Sequence, residues 1–136
     1  MIYAVIDTNV LVSALLTHNE NAATVKVIHA VLSGKITPLY HKDILKEYEE
    51  VLSRPKFHFN KSDIDTLISA FIAFGIEVFP QPTGEILIDM NDLIFYEVAM
   101  EKRNEDAKLV TGNQKHYPIR DFIITPAEML ELLEKE

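Results

Sequence analysis

A run of strand-forming apolar residues, Ile2-Tyr3-Ala4-Val5-Ile6, ends abruptly in Asp7-Thr8-Asn9. Apolar residues in unbroken succession read as a strand buried on both faces of a parallel sheet. A carboxylate directly after such a strand stands at its carboxyl end, where open α/β sheets bind their ligands. Other acids have the same prospect. Glu47 and Glu49 lie on opposite flanks of the apolar face of a helix following Tyr40, a face made by Ile44, Leu45, Tyr48, Val51 and Leu52. Periodicity leaves open which flank reaches the sheet edge, while Glu50 points to solvent. Asp92 opens the apolar run Leu93, Ile94, Phe95, Val98, Ala99, where its plain role is a cap or a favourable charge at the positive helix end. Carboxylates that converge without a cation repel, and at least one tends to hold a proton. A hard divalent cation relieves that repulsion, generates a hydroxide and steadies charge on a phosphoryl oxygen.

Such acids need parallel strands to gather them, and the rest of the chain reads that way. A short helix is expected from about Val10 to Leu16, with Thr8 and Asn9 available as caps. A helical period over residues 22–33 stops at Gly34, and a strand over 36–40 leads into a helix over 41–52 that Pro55 ends. The stripe Ile64, Leu67, Ile68, Phe71, Ile72 marks the next helix, entered through a capping-box-like Ser62 and Asp65 and ended by Gly75. A short strand over 76–79, a Pro- and Gly-bearing connection over 80–84 and a helix from Asn91 or Asp92 to about Arg103 follow. Strands over 108–111 and 122–124 and a helix over 127–134 close the chain. This alternation predicts a parallel α/β sheet of about five strands. Its carboxyl edge is expected to carry Asp7, the loop Thr111-Gly112-Asn113, and the loop near Asp121 or Thr125.

Composition narrows the chemistry. The 136 residues, 48% hydrophobic and 25% charged, fit one globular domain spanning 1–136. A formal net charge of −8 argues against a general nucleic-acid coat protein but leaves room for an enzyme that binds nucleic acid locally. The absence of cysteine excludes thiol catalysis and thiolate metal sites. No apolar run is long enough to span a bilayer, and a strand beginning at residue 2 leaves no room for a signal peptide, so no membrane partner and a cytoplasmic address are expected. The histidines lack HxxxH spacing, and neither GxxxxGK[ST] nor GxGxxG occurs, which leaves zinc and nucleotide-dependent chemistry without a motif.

The string Val5-Ile6-Asp7-Thr8-Asn9-Val10-Leu11-Val12-Ser13 resembles the start of a PIN domain. Leu45 to Phe57 is similar to the family's third-helix region, Asp89-Met90-Asn91-Asp92 to its third acidic position, and Leu109 to His116 to its fourth. Ile123-Ile124-Thr125-Pro126-Ala127-Glu128 is similar to the branch of toxin components of type II toxin–antitoxin systems. The resemblance spans nearly the whole chain in order. It implies a three-layer α/β/α fold with a central, mainly parallel sheet, and a ribonuclease that cuts single-stranded RNA with Mg²⁺ or Mn²⁺. It further implies Asp7, Glu47 and Asp92 as catalytic and metal-binding acids. Thr8, Asn9, Asp89, Thr111 and Asn113 would stand around them, and Lys115 and His116, with Lys102 and Arg103, would lie near phosphates. His116 is a candidate general acid. An antitoxin protein and a homodimer are the implied partners, with Phe71, Phe74 or Tyr96 as candidate dimer contacts. Asn113 departs from the family, which commonly carries an aspartate after the Thr-Gly pair; this removes a charge that a second metal would use. That departure motivates the alternative of a PIN-fold RNA- or protein-binding module that cuts little, and a phosphatase using the same acids is a third reading.

Overall fold

The computed structural model describes residues 1–136. Strand β1 (Ile2–Ile6) is central. Ala4, Val5 and Ile6 point alternately to opposite faces, yet none is exposed, so both sheet faces are covered. Helices α1 (Thr8–Leu16) and α2 (Ala23–Leu32) lead to β2 (Ile36–Tyr40), and α3 (Lys42–Leu52) and α4 (Lys61–Phe74) lead to the short β3 (Ile76–Glu77). Helix α5 (Leu93–Glu101) then precedes β4 (Lys108–Val110) and β5 (Ile123–Ile124), and α6 (Pro126–Glu134) ends the chain. All pairings are parallel, in the order β3-β2-β1-β4-β5. The α/β sheet of five strands expected from the alternation is therefore present.

The order places a switch point between β1 and β4. The chain leaves β1 for β2 on one side and returns to β4 on the other, which opens a crevice at the carboxyl ends of these two strands. Register does the rest. Ile6 pairs with Val110, so the next residues, Asp7 and Thr111, emerge side by side; the Asp7 amide donates to the Val110 carbonyl at 2.9 Å.

Local details depart from expectation where a tertiary contact competes. Helix α1 begins at Thr8 rather than Val10, with Asp7 in the N-cap position making no side-chain cap. Asn60, not Ser62 with Asp65, caps α4: its side chain accepts from the Ser62 amide at 2.7 Å. The α4 stripe buries Ile64, Leu67 and Phe71, but Ile72 at its margin is 48% exposed. Gly75 ends α4 because a Cβ there would meet the carbonyls of Phe71 and Pro38, where the chain presses onto β2. Phe71 and Tyr96 belong to the core, at 1% exposure each, and so offer nothing to a second copy; Phe74 alone of the candidate dimer contacts is exposed. No helix is long and apolar enough to cross a membrane.

Candidate active site

At the switch point a cleft of about 640 Å³ collects Asp7, Glu47, Asp89, Asp92, Asn113 and His116, with Thr8, Asn9, Asn91 and Arg54 among its other walls. A larger hollow of about 870 Å³ lies by Ile2, at the amino end of β1, with Met1, Lys26, His29 and Lys35 around it. That second hollow, whose acids Glu134 and Glu136 come from the end of the chain, lies away from the strand ends that orient ligands in such folds.

Asp7 is held tightly. It is 5% exposed, and its Oδ2 accepts from the hydroxyls of Thr111 at 2.8 Å and Tyr117 at 2.9 Å and from Asn9 Nδ2 at 3.3 Å. Its Oδ1 takes no side-chain hydrogen bond. Asp7 lines the cleft, and Oδ1 is the oxygen that no side chain occupies. Burial pushes the Asp7 carboxyl above its ordinary range, an effect opposed by the Thr111 and Tyr117 hydrogen bonds and the amides of Thr8 and Asn9. Asn9 also fastens the β4 loop. Its Nδ2 reaches Thr111 Oγ1 at 3.3 Å, and its Oδ1 accepts from the Gly112 amide at 3.0 Å. Thr8 and Asn9 thus serve the cleft rather than capping α1.

Glu47 comes from α3, whose position is fixed by its neighbour Tyr48. The buried Tyr48 ring packs edge-on against Phe71, and its hydroxyl donates to the Ile6 carbonyl, tying α3 to the end of β1. Of the two flanks left open by periodicity, the Glu47 side faces the cleft, and Thr8 Oγ1 donates to Glu47 Oε2 at 2.5 Å. Glu49 is not among the cleft walls. Burial pushes the Glu47 carboxyl up, with further push from Asp7, Asp89 and Glu50 against the opposing Thr8 bond.

Asp92 stands where α5 begins, but its side chain makes no cap bond. The capping role falls to Asp89, whose Oδ1 accepts from the Asn91 amide at 3.0 Å. Asp92 instead faces the other acids, and burial together with Asp7, Asp89 and Glu47 pushes its carboxyl up to about 7. The His116 ring is its nearest basic neighbour, with Nδ1 3.7 Å from Oδ2. Asn113 lies beside the same ring, its Nδ2 3.2 Å from His116 Nδ1.

The side chains as they stand do not form a finished cage of three acidic or histidine ligands around one point. The donor set nonetheless suits a hard divalent cation. Asp7 and Glu47 each keep one oxygen free of side-chain donors; burial raises all three carboxyl groups, and the charge of neighbouring acids adds to the rise at Glu47 and Asp92. An ion that draws in Asp92 and Glu47 removes that repulsion.

Other expected residues lie elsewhere. Lys102 and Arg103 follow the carboxyl end of α5, whereas Asp92 precedes its amino end, so a helix of nine residues separates them from the cleft. Lys102 pairs with Glu105 at 3.6 Å, and Arg103 donates to the Met100 carbonyl at 2.9 Å. Asp121 precedes β5 and is exposed at its amino side, and Thr125 caps α6 in a capping box with Glu128. Lys115 is exposed beside His116 but is not a cleft wall. Two residues were not anticipated. Tyr117 carries no periodic signal that marks it. Arg54 shares a flank with Glu47 and Val51, seven and three residues before it, a pattern that could have found it.

A PIN-domain family model matches residues 3–115. An uncharacterized protein of Methanocaldococcus jannaschii, MJ1680, is 29% identical over 149 residues, covering 98% of this chain and 93% of that one. Among solved structures, VapBC2 from Rickettsia felis, bound to a DNA fragment from its promoter, is similar with a TM-score of 0.55 at 20% identity, over 90% of this chain and 97% of that one. PAE2754 from Pyrobaculum aerophilum is similar with a TM-score of 0.59 at 14% identity, over 100% and 91%. At these identities both structures speak to fold.

Proposed function

The chain belongs to the PIN-domain family, and from that premise we propose that it is a metal-dependent endoribonuclease acting on single-stranded RNA. The observation that carries the reading is the gathering of Asp7, Glu47, Asp89 and Asp92 in one cleft at the switch point, with three of their carboxyl groups pushed up. Burying carboxylates this close together costs stability unless a cation answers their charge.

Asp7, Glu47 and Asp92 would hold the ion, Mg²⁺ or Mn²⁺, through oxygen. When bound, such an ion supplies an activated water and neutralises charge on the phosphoryl oxygens. The residues supply position. Thr111 and Tyr117 fix Asp7, Thr8 holds Glu47 until it is needed, and the buried Tyr48 keeps α3 from drifting. His116 stands at the cleft wall within reach of Asp92 and is placed to give a proton to a leaving oxygen. Arg54 is a cation on the same wall and is placed to meet a backbone phosphate. Asn113 presents an amide where a fourth carboxylate would add charge, which favours one firmly held ion over two.

The structural neighbour VapBC2 is bound to a DNA fragment from its promoter, and Ile123 to Glu128 of this chain resembles the toxin branch of toxin–antitoxin pairs. By analogy we place this chain as the toxin of such a pair, in the cytoplasm, with an antitoxin protein as its partner. The test is cleavage of a mixed single-stranded RNA pool by the purified chain in EDTA, Mg²⁺ or Mn²⁺, beside Asp7→Asn. Metal-dependent cutting lost in the variant is the expected result. Binding of RNA without cutting under every condition would replace the nuclease with a binding module.

A further inference from the structure

Of the buried phenols, Tyr48 spends its hydroxyl on a main-chain carbonyl, whereas Tyr117 donates to a cleft carboxylate, Asp7 Oδ2, at 2.9 Å. Tyr117 is 6% exposed and extends from a single 3-10 turn, Gln114–His116. That turn is anchored twice. The Tyr117 amide donates to the Gln114 carbonyl at 3.0 Å, and Gln114 Nε2 donates to the Ile123 carbonyl of β5 at 3.0 Å. The phenol therefore arrives at Asp7 from a fixed backbone. A phenylalanine ring would fill the same space, so packing alone gives the hydroxyl no purpose.

Lone pairs decide what that hydroxyl does. A carboxylate offers about two acceptor sites on each oxygen. Thr111 and Tyr117 occupy Oδ2 at 2.8 and 2.9 Å, and Asn9 stands at 3.3 Å from the same atom. Oδ2 is thus saturated, and Oδ1 is the Asp7 oxygen left free of side-chain donors.

We infer that Tyr117 is a positioning residue for the metal centre: with Thr111 it occupies one oxygen of Asp7 so that the ion meets the other alone. The inference rests on the reading of the cleft as a metal-dependent site. Partners that orient a metal ligand are worth about 10- to 100-fold in metal affinity. The deciding experiment is a calorimetric titration of Mn²⁺ into the full chain and into Tyr117→Phe, with RNA cleavage followed over a range of Mn²⁺ concentrations. The expected result is Mn²⁺ binding weakened about 10-fold and a cleavage deficit that closes as Mn²⁺ is raised. Equal Mn²⁺ affinity in the two proteins overturns the inference and leaves the nuclease reading intact, even if the melting temperature falls. A wild-type chain that binds no Mn²⁺ overturns both. Should Tyr117→Phe not fold, 3-fluorotyrosine placed at residue 117 carries the test. Its ¹⁹F resonance is expected to move on Mg²⁺ addition, saturating with the dissociation constant of the ion, and a resonance that does not move overturns the inference.

Discussion

The two sides of the acidic cleft are built differently. On one side Asp7 is buried, sits at the end of the central strand, and has its Oδ2 taken by three donors from the β4 end, the turn beyond it and α1. On the other side Asp92 and Asp89 enter from the short turn before α5, and Asp92 has no hydrogen-bond donor, only His116 at 3.7 Å. One side is fixed by hydrogen bonds; the other has almost none to hold its acids in place. The contrast explains why these acids share a cleft and yet do not form a closed cage. A fixed ligand gives the ion a location, and loose ligands that close on it couple binding to relief of repulsion.

The largest effect is expected on the fixed side. Asp7→Asn removes the charge while leaving a side chain of the same shape, and cleavage should fall at least about 100-fold, since losing a ligand exceeds losing a partner that orients one. Mn²⁺ titration should show binding lost with activity. If Asp7→Asn binds Mn²⁺ as tightly as the wild type, the fixed side is not where the ion is held.

The open side should respond to charge added or removed. Asn113→Asp places another carboxylate near His116 and Asp92, and Mn²⁺ affinity should rise about tenfold, as ligand charge raises affinity for hard cations. Without metal the same variant should be less stable than the wild type at neutral pH. A rise in stability would mean that His116 already supplies compensating charge there.

Asp92 gives the pH dependence. Its carboxyl ionises at about 7 in the folded chain against an ordinary value of 3.8, so between these limits the folded state binds more protons than the unfolded one. Stability of the metal-free chain should therefore fall as pH rises from about 4 to about 7, with Asp7 and Glu47 acting in the same direction. Asp92→Asn should recover about 1 kcal/mol at neutral pH, a figure reduced for solvent screening of a half-buried group, and nothing below pH 4. Urea unfolding at a series of pH values reads this directly. Mn²⁺ should flatten the profile of the wild type and leave that of the variant nearly unchanged.

How these regions appear in sequence follows from the same physics. Asp7 was legible because an apolar strand buried on both faces announces its carboxyl end, and Thr111 followed from the second such strand. Asp92 looked like a helix cap because a first-turn acid before an apolar helix has the same pattern whether it caps or faces a cleft. The pattern cannot show that Asp89 has already taken the cap. Lys102 and Arg103 were misplaced for want of helix direction, since α5 carries them away from the edge where Asp92 enters. Tyr117 was invisible because residues in an irregular segment have no period, and its partner lies 110 positions away. Core and sheet order are written in hydrophobic period; hydrogen bonds between distant loops are not.

The smallest effects concern the cations of the rim, where period and fold again give different answers. Lys115, beside His116, is exposed and outside the cleft, whereas Arg54, two residues beyond the end of α3, is one of its walls. Arg54 reaches the cleft because it follows Glu47 by seven residues, about two helical turns, and so inherits the same flank. A guanidinium there can meet a phosphate beside the acids, while a lysine outside the cleft meets only strand that runs past it. Arg54→Ala should weaken RNA binding several-fold and reduce the salt dependence of affinity by about one phosphate contact, and Lys115→Ala should change both by less. Neither should alter Mn²⁺ affinity. Filter binding at several salt concentrations with the catalytically silent Asp7→Asn background separates the two without cleavage. If Lys115→Ala is the more damaging of the pair, the RNA path leaves the cleft over the β4 side rather than along α3.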